Sequence, residues 1–194
     1  MPCYIRFRTR AKVLLELRGD VWGRSSNMDS ERSTSGPLPA VREATRKDAE
    51  AIYALAGELA DALGDQRPGS GTFRARLDEL LEEPRARVLV AEDEGGMVGA
   101  ASLWIKPDLA HGDTVIEAPM LVVSGNARHR GIGKLLVEAI QDVAATENAA
   151  LIELIATKDN DAARAFYRSL GFVETDHIAL EFVGEMRGSS DPGE

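Results

Sequence analysis

The sequence predicts an α/β (α+β) fold in which one mixed sheet carries helices on both faces, and three observations point there. From Val41 onward, apolar runs of strand length alternate with segments of helical periodicity. Asp93-Glu94-Gly95-Gly96 separates two such runs and reads as a hairpin turn. Leu121-Val122-Val123 leads through Arg128-x-x-Gly131-x-Gly133 straight into a helix. In that helix Ile132, Leu135, Leu136, Ala139, Ile140 and Val143 recur at the spacing of one buried face.

Taken in order, a strand at Ala40–Ala44 precedes a helix over Lys47–Leu63, with Thr45 as N-cap and Asp48 three residues on completing a capping box. A second helix over Thr72–Glu83 is ended by Pro84. Strands at Val88–Glu92 and Met97–Ile105 flank the hairpin turn, and a further strand spans Thr114–Val123. Pro119 removes a ladder hydrogen bond from that strand and suggests a bulge, which would shift the face that Glu117 occupies. Leu151–Thr157 is a short apolar run suited to a buried strand, a helix follows Asn160, and Gly171–Glu174 and His177–Phe182 read as two closing strands.

At 194 residues the length suits one domain, over 37–184. Residues 1–36 are basic at first, then rich in Ser, Gly and Pro, and read as an extension with a linker; 185–194 reads as a polar, disordered tail. The net charge of −9 argues against nucleic-acid and anionic-membrane partners, and no apolar run approaches the roughly 20 residues of a membrane span. The stretch before Met28 makes a poor signal peptide, so a cytoplasmic protein is expected. One cysteine, Cys3, and three scattered histidines, His111, His129 and His177, give no metal site.

The junction at 121–134 suits a pyrophosphate. Closely spaced glycines let backbone N–H groups approach an anion, and the first turn of a helix leaves its donors unpaired. A dinucleotide fingerprint starting at Gly131 needs a small residue where Leu136 stands, and a P-loop ending at Lys134 needs Gly where Arg128 stands and Ser or Thr where Leu135 stands. What remains, Arg128-x-x-Gly131-x-Gly133-Lys134, resembles motif A of the GNAT superfamily of N-acetyltransferases. Downstream, Asn160-x-x-Ala163-x-x-Phe166-Tyr167-x-x-x-Gly171-Phe172 resembles the family's motif B with its spacing kept. The resemblance runs from about Val41 to Phe182 and implies a central mixed, mostly antiparallel sheet flanked by helices, with acetyl-coenzyme A (acetyl-CoA) as co-substrate.

It further implies that the pantetheine arm pairs with the backbone of Leu121, Val122 and Val123. The pyrophosphate would lie on the N–H groups from His129 through Arg130, Gly131, Ile132 and Gly133 to Lys134. Arg128, Arg130 and Lys134 form a local basic cluster in an acidic chain, which suits a multiply charged coenzyme. His129 stands where family members commonly carry glycine. Tyr167 is the candidate general acid for the departing thiolate, and Asn160 fits both an N-cap and a coenzyme contact. An alkylammonium with an ordinary pKa of about 10.4 must lose a proton before it attacks, so a carboxylate is wanted near it. Strand alternation groups Glu117 with Pro119, Leu121 and Val123 on one face, and Glu117 is the candidate base, with Glu153 second. Phe166, Leu170 and Phe172 read as core.

Acceptor specificity is expected from Asp61–Thr72 and Lys106–Asp113, and Glu58, Asp61 and Asp65 are acidic residues that would draw a cationic amine. The expected partner is a small-molecule primary amine. A protein N-terminus or lysine, a non-catalytic acyl-CoA sensor, and a homodimer stay open.

Overall fold

The computed structural model describes residues 38–178, which divide into two units after Ile155. The extension and linker at 1–36, most of the second closing strand and the tail at 185–194 lie outside the described residues.

The first unit is built on a five-stranded sheet whose spatial order follows the chain: β1 Ala40–Glu43, β2 Ala86–Asp93, β3 Gly96–Asp108, β4 Asp113–Val123 and β5 Leu151–Leu154. The first three pairings are antiparallel, and β4 with β5 is parallel. The connection from β4 to β5 therefore has to cross the sheet, and helix α3, Ile132–Thr146, makes the crossing. Helices α1, Ala49–Leu63, and α2, Ser70–Glu82, fill the connection from β1 to β2.

Strand alternation divides the apolar side chains between two cores. On one face Leu89, Ala101, Leu103, Ile105 and Ile116 meet Ile132, Leu136 and Ile140 of α3. On the other, Val88, Val90, Ala100 and Val122 meet Ile52 and Leu55 of α1 and Leu77 of α2. The mixed sheet with helices on both faces is thus as the sequence predicts.

Local signals operate at the element ends. Thr45 and Asp48 form the expected capping box, but residues 46–48 make a 3₁₀ turn and the α-helix begins only at Ala49. Asp48 is nearly buried and accepts two hydrogen bonds of 2.8 Å from the Arg42 guanidinium and one of 2.6 Å from the Thr45 N–H. The Arg42 guanidinium holds the Asp48 carboxyl well below the usual carboxylate range. Arg42 also reaches Glu92, so one guanidinium ties β1, β2 and the start of α1 together.

Two register shifts interrupt the ladders. In β3, Val98 is an extra residue between the pairs Ala91–Gly99 and Glu92–Met97. In β4, Leu103 alone stands opposite Ala118 and Pro119, because Ser102 pairs with Met120 while Trp104 pairs with Glu117. This is the bulge that Pro119 suggests, and it has a consequence for facing. Ile116 and Ala118 lie in the α3 core before it, whereas Leu121 and Val123 pack there after it. The parity flips, so Glu117 shares the α1 and α2 face with Met120 and Val122. The expected grouping of Glu117 with Leu121 and Val123 is therefore corrected by the extra residue.

In the second unit, helix α4 spans Asp161–Ser169. The expected strand at Gly171–Glu174 is absent: Gly171 is a turn residue at φ 88° and no ladder forms over 172–178. The short apolar pattern there reports partial burial of Phe172 rather than sheet pairing.

Gly99 lies where side chains of α3 pack tightly on the sheet. A Cβ there would stand 3.1 Å from both Leu136 Cδ1 and the Val122 carbonyl oxygen and 3.2 Å from Ile132 Cγ2. Gly99→Ala is expected to destabilise the protein by about 1–3 kcal/mol through overpacking, read as a lower midpoint in urea unfolding with an unchanged slope.

Candidate active site

The site grows from the way β4 ends. β5 pairs with β4 only from Val115 to Ala118, and the last pair is Ala118 with Leu154. β4 continues to Val123, so from Pro119 on its edge toward β5 has no strand partner among the described residues. Unpaired backbone groups along such an edge are obligatory hydrogen-bonding groups in want of partners. Leu121, Val122 and Val123 are on this stretch, for which the family resemblance implies the pantetheine contact.

From Val123 the chain passes through a 3₁₀ turn at Gly125–Ala127 into the exposed segment Arg128–Gly131 and then α3. Gly131 is the N-cap at φ 83°, with no side chain to cap the helix. The first backbone bond into α3 runs from the Leu135 N–H to the Gly131 carbonyl, at 3.1 Å. The N–H groups of Ile132, Gly133 and Lys134 are thus left without acceptors among the described residues, and with the positive helix end they suit an anion. Nothing lies within 4 Å of where a Cβ would stand at Gly131, so the left-handed backbone rather than crowding calls for glycine there.

His129 occupies φ 60°, a conformation that glycine adopts at no steric cost. The loop therefore keeps the shape expected of a glycine at this position while carrying a side chain. The basic cluster is partly engaged. Arg128 Nε donates to the Val123 carbonyl at 3.4 Å, and Lys134 stands 3.7 Å from Glu138 one turn along α3. Arg130 lies 2.8 Å from Asp93, whose side chain is only 8% exposed, and so compensates a carboxylate in the β2–β3 hairpin.

Glu117 lies on the sheet face covered by α1 and α2, with its Oε2 2.8 Å from Lys106 Nζ. In the parallel ladder its partner is Glu153, so the first and second candidate bases are neighbours where β4 and β5 part. Trp104 is its partner on the other side. Lys106, Trp104, Glu117 and Glu153 form a row of polar and aromatic side chains across three strands.

Within the second unit, Asn160 caps α4, its Oδ1 accepting the Ala163 N–H at 3.0 Å. Tyr167 is half-buried between two rings, 5.2 Å from Phe166 and 5.6 Å from Phe172 between centroids. Burial pushes the Tyr167 phenol above its ordinary pKa, so it stays protonated at neutral pH, as a proton donor must.

The profile described as Acetyltransferase (GNAT) family matches residues 50–172, which span α1 to the end of motif B. The chain belongs to the GNAT family. Among curated relatives, an aminoalkylphosphonate N-acetyltransferase of Salmonella typhimurium is 29% identical over 72% of this chain and 88% of its own length. An IAA acetyltransferase of Azospirillum brasilense is 32% identical over 64% and 78%. Among solved structures, one described as a transcriptional regulator from Bacillus halodurans superposes with a TM-score of 0.68 at 24% identity, covering 76% of this chain and all of that one. A possible acetyltransferase from Clostridium difficile gives 0.67 at 21% identity, covering 76% and 99%. Both structures carry the same fold. The protein is thus an acyltransferase, a GNAT N-acetyltransferase, and the family uses acetyl-CoA as its co-substrate.

Within this GNAT domain, some contacts at the site have no counterpart in the sequence reading, and Glu58, expected there only to attract a cationic amine, makes two of them. Glu58 reaches the turn after β4, accepting from the Ser124 hydroxyl and the Gly125 N–H, each at 2.8 Å. Lys106 and Asp93 hold Glu117 and Arg130 across strands. No local pattern announces pairs so distant in sequence. Asp61, expected to attract an amine, is paired with Arg67 in the α1–α2 connection.

His129→Gly is expected to stabilise the protein by about 0.5–1 kcal/mol. It relieves about 1–2 kcal/mol of left-handed strain and offsets part of that gain with added chain entropy. Thermal unfolding of the two proteins measures the difference.

Proposed function

We propose that the protein transfers the acetyl group of acetyl-CoA to the primary amine of a small molecule, by direct transfer in a ternary complex. The observation that carries this reading is the pair of backbone stretches left without partners among the described residues, the β4 edge at Pro119–Val123 and the uncapped start of α3, joined by a hydrogen-bonded turn. An amide-bearing arm ending in a pyrophosphate meets both halves: strand-like bonding along the edge, then N–H groups and a positive helix end at the anion. The donor set therefore fits the co-substrate. The names of the two curated relatives, which describe acceptors of small-molecule size, support a small acceptor here.

The bound co-substrate supplies an activated acyl thioester. Main-chain groups of Leu121, Val122 and Val123 hold the arm, and the segment from Arg128 to Lys134 holds the phosphates, with Arg128 and Lys134 as the cations nearest that backbone. Asn160 adds a contact through whatever its cap leaves unused. Glu117, beside Glu153 at the parting of β4 and β5, takes the proton from the incoming ammonium, and Lys106 fixes the orientation of its carboxylate. The amine nitrogen bonds to the acyl carbon, the carbon–sulfur bond breaks, and the thiolate takes the phenolic proton of Tyr167; the second proton of the nitrogen then restores the phenol through solvent, and the proton on Glu117 passes to water. The products are an amide and a free thiol. The acidic chain and the Glu117–Glu153 pair favour a cationic acceptor over an anionic one.

Thiol release from acetyl-CoA against a panel of polyamines, amino sugars, amino acids, aminoalkylphosphonates and short peptides tests the proposal. Release that depends on one small-amine class is expected, and release with peptides alone would overturn the small-acceptor reading. Tyr167→Phe is expected to lower kcat by about 10²-fold with coenzyme affinity retained, and Glu117→Gln to do the same. Because the Tyr167 pKa is raised, wild-type kcat is expected to show no loss attributable to this acid until the pH exceeds about 10. Gly131→Asp places a side chain on a left-handed backbone and a negative charge against the phosphates, and is expected to abolish coenzyme binding in calorimetry.

A further inference from the structure

We infer that Glu58 is a positioning residue for the coenzyme: it latches the turn from which the phosphate-binding segment springs. This rests on the proposed placement of acetyl-CoA along β4 and the start of α3.

Glu58 lies on α1, 66 and 67 positions from its two partners, and its carboxylate is only partly exposed. Oε1 accepts the Ser124 hydroxyl and Oε2 the Gly125 N–H, both at 2.8 Å, so each oxygen is engaged by a different donor of the same turn. Charge-assisted bonds of this kind are about twice as strong as neutral ones. The turn is held from other sides as well. The Ser124 N–H donates to the carbonyl of Val98, the extra residue of β3, at 2.9 Å, and the Ala127 N–H closes the 3₁₀ turn on the Ser124 carbonyl at 2.9 Å. Ala127 itself is fully buried in the α3 core.

Residues 128–131, by contrast, are exposed, and two of them sit at positive φ. An exposed segment whose shape determines an anion site depends on a fixed base. Here the base is pinned to β3, to the core and, through Glu58, to α1. Its carboxylate has both oxygens occupied by turn donors, so the side chain acts on the backbone that holds the coenzyme rather than on a reacting atom. A glutamine preserves the geometry, since its carbonyl accepts the Gly125 N–H while its amide donates to the Ser124 oxygen. Alanine removes both bonds and leaves Ser124 and Gly125 to solvent.

The test titrates coenzyme A into the full chain by calorimetry and measures the kinetics of thiol release. Glu58→Ala is expected to raise the coenzyme Kd and the KM for acetyl-CoA about tenfold with kcat unchanged at saturation, a split that general loss of structure does not produce. Glu58→Gln is expected to stay within about threefold of wild type. Ser124→Ala is expected to have a smaller effect, and none when added to Glu58→Ala, because both remove the same interaction. If the alanine variant fails to fold, the glutamine and Ser124 variants carry the test: a tenfold loss in Glu58→Gln, or no loss in Ser124→Ala, overturns the latch. Unchanged coenzyme affinity in Glu58→Ala overturns the latch alone, as does a fall in kcat with affinity intact. A wild-type protein that binds no coenzyme A overturns the underlying placement as well.

Discussion

A proline cannot donate a hydrogen bond, and β4 carries one at position 119 in the interior of a sheet. The strand accommodates it by inserting an extra residue opposite Leu103. Everything distinctive about the site depends on this local failure of the ladder. On one side of the bulge β4 has a partner on each edge; on the other, β5 has already ended and the edge has no strand partner among the described residues. The same insertion reverses which side chains face which layer, so Leu121 and Val123 remain in the α3 core while Glu117 looks to the α1 and α2 face. In the proposed mechanism, recognition by backbone and chemistry by side chain therefore fall on neighbouring stretches of one strand.

The second requirement is that the chain leaving β4 reach α3 in a fixed conformation. Glycine at 131 supplies the left-handed cap, and His129 adopts a comparable backbone at some cost in strain. The anchors around the loop come from distant parts of the chain: Val98 and Asp93 from the hairpin region and Glu58 from α1. Gly99 belongs to the same arrangement, since its missing side chain lets Leu136 and Ile132 settle against β3 and so fixes how far α3 stands from the sheet.

Much of this was legible in the sequence, for physical reasons that can be named. Long periodic segments such as Ile132–Val143 announce their buried face, and Asp93–Gly96 announces a turn because few residues other than glycine tolerate the backbone there. The two motifs carried the family because their glycine and asparagine positions answer to backbone geometry. Pro119 pointed to the bulge, but simple alternation put Glu117 on the wrong face, because an insertion changes parity and a pattern of period two has no memory of it. The strand at Gly171–Glu174 failed because a few apolar residues near a turn satisfy a strand pattern without a ladder to join. The contacts of Glu58, Lys106 and Asp93 were silent because ion pairs and caps between distant segments leave no local trace.

The order of the strands has a consequence for assembly. β2, β3 and β4 form a meander with short turns, whereas the edge strands β1 and β5 are reached only across helices. Contacts close in sequence form at less entropic cost, so the central meander is the natural early structure and β5 the late addition, since its parallel register needs α3 already laid across the sheet. The proposed coenzyme track lies at this last seam. A ligand that occupies it favours chains whose crossover is complete, and the cell's supply of the coenzyme becomes a thermodynamic brace on the very joint that closes last.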